Sequence, residues 1–302
     1  MMWQALAGYA VRGPAQGALM AFSTLLLSLF VPPIVVVSNA LIALVWLRLG
    51  PVQGLITVAI ALVAGTAIAS FSGSPVVPAA LMFSFWLPVL VMAYVLRQTV
   101  SLDLGILAGG VLALAGVLVA YTVIDDPAQS WQTVVQQIQE QTELATNGAD
   151  SERVVAWLSN AGTWMTGVST ATQFVIASVS LLLARVWQAR MFNPGGLQKE
   201  FHGLRYGLVA GVIGLLIPAA AAFLDSELLD NLAIVVMVVF AFQGLAVLHS
   251  LVTQLKMHAL MIVGVYVFLI MLAPSSIKFI GIIGLVDTWV DFRSRLSLLK
   301  RD

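Results

Sequence analysis

The sequence predicts an all-α protein, a polytopic transmembrane helix bundle of eight to ten segments, and three observations lead there. Hydrophobic residues make up 60% of the 302 positions and charged residues only 9%, with a mean hydropathy of +1.00. A water-soluble domain carries roughly 25% charged residues, so this chain needs lipid as its main solvent. The apolar residues also fall in runs that approach the ~20 residues required to cross a bilayer core. Finally, Lys and Arg gather at alternate ends of those runs, the asymmetry that orients membrane proteins.

Ten runs qualify: 15–31, 33–48, 53–71, 78–97, 104–124, 161–188, 206–224, 231–253, 258–273 and 277–292. The first two and last two are shorter, at roughly 15 to 17 residues, and read as tilted pairs, re-entrant hairpins or one broken helix each. Upstream, MMWQALAGYAVRGPAQG lacks the basic, apolar, small-residue order of a cleavable signal, because Arg12 follows the first apolar run. The first hydrophobic helix is therefore expected to serve as the insertion signal itself. It carries Gly13, Gly17 and Ala21 at four-residue spacing, a flat stripe on which another helix packs closely. That partner helix lies either within the chain or in a separate membrane subunit. Pro32-Pro33 cannot continue a helix and makes a tight outer turn. FSGSPVVP at 71–78 reads as an uncharged outer loop, and APSS at 273–276 breaks the last apolar pair.

If all ten segments cross, twelve of the fourteen Lys and Arg residues fall on one side and only Arg153 and Lys278 on the other. The charge-rich side is the cytoplasm, so both termini are expected there, and Arg48 becomes a topology anchor between two helices. The long connection, 125–160, then lies outside. Its Trp131, Val134, Val135 and Ile138 recur at helical spacing and are backed by Gln and Glu, the pattern of an amphipathic helix at the outer interface. Such a segment is either a structural cap over the bundle or a lid over a substrate entrance. TNGAD ends it, and Val154, Val155 and Trp157 lead back into lipid. Residues 1–302 thus read as a single integral membrane domain with an amphipathic extracytoplasmic segment.

Charge and composition narrow the chemistry. Lys plus Arg and Asp plus Glu are equal at 14 each, which gives no basic field for nucleic acid. No cysteine is present, so disulfides, thiolate nucleophiles and cysteine metal sites are all excluded. His202, His249 and His258 show no ligand spacing, and no nucleophile elbow or Walker loop occurs. Asp287 and Asp291 stand one helical turn apart, but Arg295 follows Asp291 by four residues, which reads as a surface ion pair. Neither enzymatic activity, a cofactor nor a metal is expected.

The polar residues inside apolar runs remain. Thr163, Thr166, Thr170 and Gln173 recur every three or four residues and share one helix face, suited either to helix–helix hydrogen bonds or to a substrate-lining surface. Gln243 is the deepest long polar side chain of its run, Asn39 sits within the short second run, and Trp86 lies near Pro88 in the fourth. Together these seven positions form the candidate set for a small, neutral or weakly polar ligand.

The stretch LRLGPVQGLITVAIAL, with Gly50, Pro51 and Gly54 at the turn, resembles the first third of the substrate-binding S-components of energy-coupling-factor vitamin transporters. FQGLAVLHSL at 242–251 and GIIGLVDTWVDFRSRL at 281–296 resemble the YybS-like family of bacterial membrane proteins. These resemblances imply a bacterial inner-membrane protein with an S-component-like core plus extra helices. They also imply that Gly13, Gly17 and Ala21 form a surface for a membrane coupling subunit. The expected function is binding or transport of a small molecule in the lipid bilayer, with homo-oligomerisation open. The rival is a membrane scaffold or assembly factor without a ligand.

Overall fold

The structure is a computed structural model and describes residues 2–70, 76–146, 161–192, 195–258 and 260–299. Among the described residues every regular element is helical. In chain order these are α1 (Met2–Ala10), α2 (Pro14–Ser28), a 3-10 turn (Pro32–Ile34), α3 (Val35–Leu49), α4 (Pro51–Ser70), α5 (Val76–Thr99) and α6 (Leu102–Val123). There follow α7 (Pro127–Thr146), α8 (Gly162–Phe192), α9 (Gly196–His202), α10 (Gly207–Phe223) and α11 (Glu227–Gln254). The last three are α12 (Leu260–Met271), α13 (Ser275–Val290) and α14 (Phe292–Leu299).

Every one of the ten apolar runs falls on a helix, but their lengths differ from the expected eight to ten crossings. Among the described residues six helices are long and apolar enough to span: Pro32–Leu49, Pro51–Ser70, Met82–Thr99, Leu102–Val123, Gly162–Met191 and Glu227–Gln254. The pair α9 and α10, bent by 52°, qualifies as a seventh if it is one broken span. α2, α12 and α13 have 15, 12 and 16 residues and are shorter than a bilayer core requires of an upright helix. α10 leaves Leu208, Val209, Val212, Ile213, Leu215 and Leu216 exposed along its length, a surface suited to lipid and not to water.

The chain gathers into two compact units, residues 1–109 with 173–205 and residues 110–172 with 206–302. In the first, α2, α3, α4 and α5 pack on one another around α3, which is buried on all sides from Ser38 to Leu47. The small-residue stripe of α2 is used within the chain. A side chain at Gly17 would strike Val45, the carbonyl of Ala10 and Thr57, and Ala21 is fully buried. The stripe therefore seats α2 on α3 and α4 and does not offer a docking face for a coupling subunit. Gly13 stands outside the contact; it precedes Pro14 and meets only Gln16.

The GPVQG turn has a physical account at each position. Gly50 adopts φ +102°, a left-handed conformation that favours glycine, and Pro51 opens α4 where no helical N–H is needed. A Cβ at Gly54 would lie 2.3 Å from the Trp46 ring, so the bare backbone makes room for that indole. Arg97 closes the turn from α5. Its guanidinium donates to the carbonyls of Trp46 and Leu47, placing a cation at the negative end of α3.

In the second unit the tightest contact joins α11 and α13. Cβ atoms on Gly244 and Gly284 would each lie 2.1 Å from a backbone carbonyl of the other helix, that of Ile280 and of Phe240. Backbones this close exchange many dispersion contacts, the usual basis of helix association in lipid. α10 packs against both, with Gly211 facing Thr288 and Gly214 facing Phe240 and Leu285.

Candidate functional site

The amphipathic segment begins where the charged turn after α6 meets Pro127. Asp126 caps α7, its Oδ1 accepting from the Gln129 N–H at 2.8 Å. Within α7 Val135 is buried while Gln132, Thr133, Gln136 and Gln137 face out, as the apolar stripe requires. The side chain of Ile138 and the positions of Val154, Val155 and Trp157 lie outside the described residues. Two contacts hold α7 to the start of α8. A Cβ on Gly162 would lie 2.6 Å from the Ala128 carbonyl, and Trp131 Nε1 donates to Thr166 Oγ1 at 3.0 Å.

Between the end of α6, the start of α7 and the start of α8 runs an open groove of about 340 Å³. Its apolar walls are Ala120, Ile124, Pro127 and Val134. The polar face of α8 contributes Thr166, Ser169 and Thr170, and α7 contributes Ser130 and Trp131. Thr166 is buried; the Thr170 hydroxyl donates back to the carbonyls of Thr166 and Gly167 and turns its methyl toward Gly116. The groove is thus predominantly apolar, with hydroxyl oxygens spaced along one side. Volume of this order suits a small ligand.

Of the seven expected ligand residues, the groove brings together two, Thr166 and Thr170. Thr163 belongs to a different contact: its carbonyl oxygen accepts from Asn231 Nδ2 at 2.6 Å. Gln173 belongs to the first unit and is not among the groove residues. Gln243 is buried in a separate polar knot. Its Oε1 accepts from the Tyr206 N–H at 3.0 Å, and its Nε2 lies 3.2 Å from Asp287 Oδ2 and 3.3 Å from Thr288 Oγ1. The expected meeting of Gln243 with the threonine face does not occur, because α13 takes up its hydrogen bonds.

Trp86 is fully buried in the first unit and ties three helices together. Its Nε1 donates to Ser38 Oγ at 3.2 Å, and Ser38 donates onward to the Ala21 carbonyl at 2.7 Å. Asn39, next along α3, is also fully buried, and neither atom of its carboxamide has a hydrogen-bond partner among the described residues. Neither residue lines the groove.

Two groups escape sequence reasoning. Asp287 is completely buried and carries an ion pair to Arg293, 2.6 Å away, while its Oδ1 accepts from the Phe292 N–H. This corrects the surface placement of Asp287 beside Asp291: Asp287 is interior, and Asp291 ends α13 in a left-handed conformation, which turns Arg293 back onto Asp287. The other is Asn231, whose Oδ1 accepts from Gly167 N–H at 2.5 Å and whose Nδ2 reaches Thr163 O and Tyr121 Oη. Thr163 O and Gly167 N are the acceptor and donor of one helical turn, so the carboxamide of Asn231 bridges the first turn of α8. An asparagine four residues into an apolar helix was the available signal. Among the described residues no group of three or more His, Cys, Asp or Glu is placed to hold a metal ion.

A family model described as a predicted membrane protein (DUF2232) matches residues 18–288. No curated protein and no solved structure matches the chain.

Proposed function

The chain belongs to the DUF2232 family of predicted membrane proteins, and from that premise we propose that it binds a small, mainly apolar molecule at the outer membrane interface. The site is the groove beneath α7. The observation that carries this reading is the coincidence of Thr166 and Thr170, intramembrane polar residues of one helix face, with a groove of about 340 Å³ roofed by an amphipathic helix. In this reading the protein sits in a bacterial inner membrane with both termini cytoplasmic and has no enzymatic activity of its own. The likeness of the GPVQG turn to S-components and of the C-terminal motifs to YybS-like proteins supports a substrate-binding subunit, and transport then requires an energising partner or a second copy.

A second reading, a membrane scaffold without a ligand, draws on a specific observation. Gln243, Asp287 and Asn231, three fully buried polar side chains, are all consumed by contacts within the chain.

Filling the groove separates the two. Val134→Trp puts an indole into the cavity from its exposed wall, whereas Val111→Trp places one on an exposed apolar surface away from it. Native mass spectrometry of gently purified protein should find a retained small molecule in the wild type and in Val111→Trp, and at least tenfold less in Val134→Trp. Equal retention in both variants, or none in the wild type, favours the scaffold.

A further inference from the structure

We infer that the ligand of this groove is a cationic amphiphile, an apolar chain or ring bearing one ammonium or amidinium head and no anionic group. The inference rests on the groove being the binding site and adds the charge of what it binds.

Carboxylates surround the groove mouth. α6 ends and α7 begins at Asp125 and Asp126, and Asp126 is the cap of α7, adjoining the groove residues Ile124 and Pro127. The first turn of α11 packs close by, against the end of α6 at Tyr121 and the start of α8 at Thr163. Asn231 lies within hydrogen-bond distance of Tyr121 Oη, of Thr163 O and of the Glu227 carbonyl, so Glu227 and Asp230 stand beside the ends of α6 and α8. Asp126, Glu227 and Asp230 are all exposed. Among the described residues no basic side chain lines the groove. The sequence continues the bias: 125–160 holds six carboxylates and 224–231 three, against one cation, Arg153.

The apolar trough and its acidic mouth select in different ways. Ile124, Pro127, Val134 and the Trp131 ring accept a hydrocarbon body, while the single indole N–H is already committed to Thr166. The groove therefore has few donors left for an anion or a carbonyl-rich ligand. Ser130 and Thr170 already give their hydroxyl protons to the carbonyls of Asp126 and of Thr166 and Gly167, so they present lone pairs, and the carboxylates near the mouth add the acceptors that an ammonium head uses. Carboxylates near a low-dielectric wall also concentrate cations from solution, an effect that salt screens. A zwitterionic phospholipid matches less well, because its phosphate would face the same carboxylates.

The test uses a matched pair of probes with the same apolar body, 4-phenylbutylammonium and 4-phenylbutanol, added to the full chain in nanodiscs of zwitterionic lipid. The ammonium should bind at least tenfold tighter at low salt, and raising the salt to 0.5 M, where the Debye length is only about 4 Å, should shrink that advantage. Asp126→Asn with Glu227→Gln and Asp230→Asn should abolish the preference while leaving the alcohol's affinity unchanged; asparagine preserves the cap of α7. Equal affinities that Val134→Trp still blocks would overturn the cationic class and leave the groove standing. A preference that survives the triple substitution, or retention of zwitterionic phospholipid in place of the ammonium, would also overturn it. Binding of both probes that Val134→Trp leaves intact would instead remove the groove itself.

Discussion

At Gln243 one carboxamide holds the start of α10 and the end of α13 to the middle of α11, through the Tyr206 N–H, Asp287 and Thr288. Replacing it by leucine leaves a buried N–H without an acceptor and withdraws a donor from a buried carboxylate. Each unmade bond of this kind costs roughly 1–3 kcal/mol, and charge raises it. Asn39 is the opposite case: both amide atoms are already buried without partners among the described residues, so a leucine of similar size removes a desolvation penalty and no bond. The same chemical change should therefore lower the melting temperature in Gln243→Leu and raise it in Asn39→Leu, measured in one detergent. A fall in Asn39→Leu would mean that something pairs with that amide, and would return Asn39 to the binding residues. Both glutamine and asparagine are visible in the sequence as polar groups inside apolar runs. What separates them is the identity of their neighbours, set by contacts such as that between Gln243 and Asp287, 44 residues further along the chain. Local periodicity carries no information at that distance.

Among elements, the contact of α11 with α13 depends on hydrogen atoms where other residues carry Cβ. Alanine at Gly244 would place a methyl 2.1 Å from the Ile280 carbonyl, which cannot yield as a flexible side chain would. The helices must separate, at a cost of about 1–3 kcal/mol or more. Gly244→Ala should thus lower thermal stability, and Gly264→Ala, whose Cβ meets nothing, should leave it unchanged or raise it slightly. Equal effects at both positions would contradict the close packing. The helices themselves are legible in the sequence because run length and turn residues are local: the run at 104–124 is the helix Leu102–Val123, and Pro32-Pro33 and Pro274 fall between α-helices, whereas the loop expected at 71–78 is helical from Val76 and its residues 71–75 lie outside the described ones. The small-residue stripe at Gly17 and Ala21 is also legible as a close helix contact. Its partner is not, because spacing fixes a surface and leaves open which helix covers it; here α3 and α4 do.

At the scale of the whole molecule the proposed function requires one topology above the rest: the groove beneath α7 opens to the extracytoplasmic side of the membrane. The charge pattern supports it: on the ten-segment reading of the sequence twelve cations fall on one side and two on the other, and the acidic mouth lies on the cation-poor side. The groove itself was only half legible. Thr166 and Thr170 were marked by their spacing on one face and α7 by its apolar stripe, but the cavity depends on where α7 settles against α8, through Trp131 and Gly162. Because the natural chain has no cysteine, a single thiol reports its own exposure cleanly. The most direct measurement is labelling of Ser130→Cys, within the groove, by an impermeant maleimide in spheroplasts, with Gln198→Cys, among the basic loops, as the opposite reporter. The account predicts that Ser130→Cys reacts from outside and is protected by 4-phenylbutylammonium, while Gln198→Cys reacts only after lysis. Reaction of Gln198→Cys from outside, or of Ser130→Cys only after lysis, would contradict it.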